Sequence, residues 1–157
     1  MHSPGLAATI VLAAACLMPA PAASAQVTVT DPWVRGTVTG QKATGAFMQL
    51  KSATDVALVA AASPVAKIAE VHQMKMEGGM MKMNAVDRLA LPAGEPVDLK
   101  PGGYHVMLMD LVKPLNDGDT VPLLLTFQDR AGKKQTVEVK ALVKPLAAGA
   151  TAPGSKQ

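Results

Sequence analysis

Cysteine is nearly missing from this chain: Cys16 is the only one in 157 residues. No disulfide within the chain can staple the fold, and no CxxC pair is available for thiol chemistry. Aromatic residues are almost as scarce, with only Trp33, Phe47, Tyr104 and Phe127. A core drawn from the 49% of apolar residues must therefore be aliphatic and methionine-rich. Net charge is only +3, every charged residue lies after residue 30, and no Lys/Arg cluster alternates with aromatics. That sets nucleic-acid binding aside. Gly-rich phosphate loops, HExxH and paired carboxylates are also absent, so a catalytic constellation is not indicated.

Long apolar runs are missing too, with one exception. Leu6 to Met18 is a run of thirteen, too short to span a bilayer comfortably. Pro19 and Pro21 break it, and Ala23-Ser24-Ala25 supplies an A-x-A cleavage site. Residues 1–25 thus read as a secretory signal, although residues 1–5 carry no Lys or Arg. Cys16 falls inside this segment; a lipid-bearing role would follow Ala13-Ala14-Ala15, but the usual Leu three residues before is lacking. Cleavage after Ala25 leaves a mature chain without a thiol. Residues 26–143 form the expected domain, and residues 144–157, rich in Ala, Gly, Pro, Ser and Thr, read as a disordered tail.

The remaining text is punctuated like an all-β domain. Short Val/Ile/Leu-rich segments recur about every eight residues between turns such as Gly40-Gln41-Lys42, Pro101-Gly102-Gly103 and Asn116-Asp117-Gly118-Asp119. Such spacing predicts a β-sandwich or Greek-key barrel. Ala57 to Ala62 is expected as a strand because Asp55 and Pro64 leave too little length for a helix.

Methionine and histidine are what the chain has in excess. His72, Met74 and Met76 alternate, as do His105, Met107 and Met109, while Met80, Met81 and Met83 follow Glu77-Gly78-Gly79. Alternating residues of a strand share a face. A two-residue loop at Glu77-Gly78 would set Met74 against Met81 and His72 against Met83. A three-residue loop would put His72 and Met83 on opposite faces. Neutral thioether and imidazole donors without a thiolate suit Cu(I), or Ag(I), better than zinc or iron, and the lack of a Cys ligand excludes a blue-copper centre. A lone Met on a strand would ordinarily be core filler.

His72, ten residues, Met83, twenty-one residues, His105, one residue, Met107: this spacing resembles the signature of the periplasmic copper chaperones called PCu(A)C. Pro101 to Met109 and Gly45-Ala46-Phe47-Met48 are similar in their flanking text, and the resemblance covers roughly residues 31–142. It implies an all-β, cupredoxin-like fold and a Cu(I) site formed by His72, Met83, His105 and Met107. It further implies a periplasmic carrier delivering copper to a terminal oxidase's copper centre or to a thioredoxin-like assembly factor. Gln73 stands where the family often has Met, so no ligand is implied there. Some relatives bear His- or Met-rich tails with a second copper site; this tail has neither residue. Met74, Met81 and Met109 are expected as an apolar collar, with alternative ligands the other reading. Glu70, on the His72 face, is expected as a solvated edge charge, with a supporting partner of the ligand the other reading. Trp33 and Arg35 are expected to serve packing and a sheet surface. Two other classes stay open: a copper storage or resistance binder, and a metal-free β-sandwich interaction module with a Met-rich face.

Overall fold

The computed structural model describes residues 26–147; the expected signal segment and residues 148–157 of the expected tail lie outside them. Ten strands follow one another without a helix among the described residues: β1 Val27–Arg35, β2 Ala43–Ser52, β3 Val56–Ala62, β4 Ala66–Glu77, β5 Met80–Ala85, β6 Leu89–Leu91, β7 Pro96–Leu99, β8 Tyr104–Leu111, β9 Thr120–Asp129 and β10 Lys134–Lys144. They form one mixed sheet in the order β5-β4-β8-β7-β2-β1-β10-β9-β3-β6, with β8 also pairing β2. Most pairs are antiparallel, and β1–β10 and β7–β8 are parallel. Period-two alternation sorts the side chains between the two faces of the sheet. Val34, Ala46, Leu50, Val71, Val106, Leu108, Leu123, Leu125, Ala141 and Val143 turn inward into one aliphatic core, with Phe127 its largest side chain.

Three local features differ from the expected elements. The two β-rich segments flanking Asp31-Pro32 form one strand, because a bulge absorbs the break. Its register shifts between Thr30 and Trp33, and Asp31 takes φ 48°. A short polar residue such as Asp tolerates that region better than most. Leu89–Leu91, where no strand is expected from the sequence, is a three-residue strand against β3 whose Leu89 and Leu91 are buried.

The third difference is the Met hairpin. Its loop is Gly78-Gly79, so Met76 pairs with Met81, Met74 with Met83 and His72 with Ala85. Both glycines have positive φ, 59° and 78°, as a type I′ turn demands at its two central positions. A Glu77-Gly78 loop would have forced Glu77 there, at a cost of about 1–2 kcal/mol. His72 and Met83 are therefore diagonal neighbours instead of directly opposed. The pairing changes by two positions, not one, so they still share a face.

Candidate metal centre

Strand parity sorts the chemistry onto one side of the sheet. On β8, Val106 and Leu108 enter the core, which leaves His105, Met107 and Met109 on the other face. On β4, Val71 enters the core and leaves Glu70 and His72 outside it. Register then brings the two strands' outer residues together: His72 lies across from His105, Glu70 from Met107, and Ile68 from Met109. On the far side of β8, Gly45 of β2 lies across from Met107.

A cleft of about 310 Å³ opens on this face. Met83, His105 and Met107 line it together with Met74, Arg35, Gly45 and Phe47. His72 does not line it; its ring sits beside that of His105 with centroids 5.9 Å apart, and its side chain is 14% exposed. Its diagonal neighbour Met83 is within reach, since diagonal cross-strand Cβ atoms lie no more than about 7–8 Å apart and Met is long. Three of the four signature residues thus share a cavity, and the fourth borders it. Met74, expected as collar, enters the cleft; Met81 and Met109 stay out of it.

Each histidine has one ring nitrogen committed and the other open. His105 Nδ1 donates to the Gly103 carbonyl at 3.2 Å, which leaves the lone pair on Nε2. His72 Nε2 donates to Glu70 Oε2 at 3.0 Å. His72 Nδ1 is then a buried nitrogen with no hydrogen-bond partner, an arrangement that is costly unless something else uses the lone pair. Glu70, expected as a solvated charge, is therefore the group that orients His72. A carboxylate on the far nitrogen of a ligating histidine is a recurrent support for metal binding.

Burial pushes the His105 pKa below 6.5. The charges of His72 and Arg35 act in the same direction, against the raising effect of the Gly103 hydrogen bond. A neutral imidazole is the form that can ligate. Among the described residues, no three His, Cys, Asp or Glu side chains come close enough to hold a metal. Beside His105 the cleft offers the methionine sulfurs of Met74, Met83 and Met107.

Arg35 and Phe47 were read from sequence as packing and flanking text, and both prove to be cleft walls. The Arg35 guanidinium sits 5.5 Å from the Phe47 ring centroid, and Phe47 in turn lies 4.6 Å from Trp33 and 6.2 Å from His105. The Phe47 ring folds back over Gly45, where an added Cβ would come within 2.8 Å of it. The Gly45-Ala46-Phe47-Met48 text was the available signal, but nothing local revealed which way the ring turned.

Residues 27–153 match the model of a family described as "Putative lipoprotein LpqE-like". The apo PCuAC domain from PmoF1 is 25% identical with a TM-score of 0.61, over 76% of this chain and 93% of that domain. Apo-DR1885 from Deinococcus radiodurans is 32% identical with a TM-score of 0.57, over 90% of this chain and 96% of that one. The same protein in its CuI form is 33% identical with a TM-score of 0.54, over 82% of this chain and 81% of that one. This chain belongs to the LpqE-like family of PCuAC domains, all-β proteins of cupredoxin-like fold.

Proposed function

We propose that this chain is an exported copper carrier. It holds one tightly bound Cu(I) with His72, Met83, His105 and Met107, and hands the ion to an acceptor such as a terminal oxidase's copper centre or a thioredoxin-like assembly factor. The observation that carries this reading is the pair of imidazoles facing each other across β4 and β8, each with one nitrogen engaged and one open. The CuI form of DR1885 supports the choice of metal.

The four donors are uncharged, which suits a soft monovalent ion and leaves it without a strong electrostatic hold. His72 and His105 are covered, whereas Met83 is 42% exposed. An incoming donor from an acceptor would displace Met83 first while the histidines retain the ion. Exchange of neutral ligands changes neither the oxidation state of copper nor the protonation of the thioethers, so no catalytic group is required. Export rests on residues 1–25 acting as a cleaved signal; the binding domain expected over 26–143 includes Lys144, the last residue of β10, and the tail follows it. The chain recovered from an exporting host should begin near Gln26 by mass spectrometry.

Titration of the copper-free protein against a chromophoric Cu(I) chelator, followed by mixing the loaded protein with a copper-free acceptor, tests the function. One equivalent taken up and then lost to the acceptor is the expected result. Uptake without transfer would mean a storage or resistance binder. No uptake would leave a metal-free interaction module.

A further inference from the structure

The methionines of the hairpin extend beyond the proposed site. The β4–β8 ladder ends at Gln73 opposite Tyr104, with Met74 N–H donating to Gly103 O at 3.1 Å. Outward from there the ribbon is paired only with itself. On it Met76 and Met81 stand directly opposite each other, 65% and 50% exposed, on the same face as Met74 and Met83. Core filling cannot explain them, since neither is in the core. Single exposed apolar residues are unremarkable, but two thioethers placed across from one another and continuous with two more are not scattered. The other face of the ribbon carries Met80 together with Lys75, Lys82 and Glu77, with Lys82 Nζ 3.4 Å from Glu77 Oε2. The ribbon's own charged side chains thus lie on the face away from Met76 and Met81. No carboxylate on the Met76 and Met81 face of the ribbon would attract a hard divalent ion.

We propose that Met76 and Met81, with Met83 adjoining, form a second, thioether-only station for Cu(I) or Ag(I) at the outer end of the hairpin. Cross-strand partners have Cβ atoms about 4.5–5.5 Å apart, so two sulfurs can reach one ion. Two-sulfur coordination suits a soft d¹⁰ cation. The ladder Met76/Met81, then Met74/Met83, then His105/Met107 lets the ion step inward or outward by exchanging one neutral donor at a time. Copper stays Cu(I) throughout and no proton moves. The proposed function supplies the identity of the natural ion, whereas the station itself can be tested without it.

Site-resolved titration with Ag(I) alone provides that test, using the exported protein with ¹³C-labelled Met methyl groups. The first equivalent should shift Met83 and Met107, and the second should shift Met76 and Met81. Met76→Leu/Met81→Leu, both exposed and near-isosteric, should keep the first step and weaken the second by about tenfold or more. A second equivalent that leaves the Met76 and Met81 methyls unmoved, or that survives the double substitution, overturns the station. If Met76 and Met81 respond while Met107 never does, the station stands and the proposed carrier site falls.

Discussion

His72 and His105 stand directly across from each other on neighbouring strands, ring centroids 5.9 Å apart, each held by an acceptor two residues away in its own strand or turn. Glu70 holds one and the Gly103 carbonyl the other, so two short local bonds preset both imidazoles before any ion arrives.

Glu70→Gln tests that presetting. The amide keeps the shape but loses the negative charge that makes Glu70 a strong acceptor for His72 Nε2–H, the bond that sets the tautomer and aims the ring. Cu(I) affinity should fall about 10–100-fold, the range for losing the partner of a ligating histidine, with the copper-free stability little changed because Glu70 is 49% exposed on its side chain. A competition titration measures it, and unchanged affinity would show that Glu70 is only a surface charge.

Burial of neutral His105 makes stability depend on pH with a definite sign. Its folded pKa lies below the unfolded 6.5, so the unfolded chain binds more protons between the two values. The contribution is complete above about pH 6.5 and is lost as pH falls toward and through the lowered folded pKa. Urea midpoints of the copper-free protein should decline over that window in the wild type and less in His105→Asn. Parallel profiles for the two proteins would contradict the assignment.

Gly45→Ala should disturb the cleft wall. The new Cβ would lie 2.8 Å from the Phe47 ring, so the ring must move away from its place between Trp33 and His105. The expected cost is about 1–3 kcal/mol, as for other overpacked sites. Trp33, 4.6 Å from Phe47, reports it through a shift in fluorescence emission. An unchanged emission spectrum and midpoint would mean the ring relaxes freely.

Much of this molecule was legible before its structure. Turn residues and period-two alternation gave the all-β class, and the spacing of His72, Met83, His105 and Met107 located the four residues that the fold gathers on one face. What failed to show was register and direction. The Gly78-Gly79 turn moved the Met hairpin by two positions, because φ preference at two adjacent residues outweighed the simplest placement of the loop. Glu70 looked like a surface charge because its partner is set by rotamer as well as by sequence distance. Arg35 and Phe47 became cleft walls through β1–β2 and β2–β8 pairing, a non-local relationship that no short window contains.

The central claim, that Met83 serves a metal and not the core, is tested most directly by comparing Cu(I) affinity in Met83→Leu and Met48→Leu. Met48 is a buried core methionine of β2, 4% exposed, and Met83 is 42% exposed on β5. Both changes nearly conserve volume and should cost less than about 1.5 kcal/mol in the copper-free state, measured in parallel because bound metal stabilises the fold by linkage. Met83→Leu should lower Cu(I) affinity at least about tenfold while Met48→Leu leaves it unchanged. Equal affinities for the two variants would contradict the claim and make the spacing of His72, Met83, His105 and Met107 a coincidence of packing.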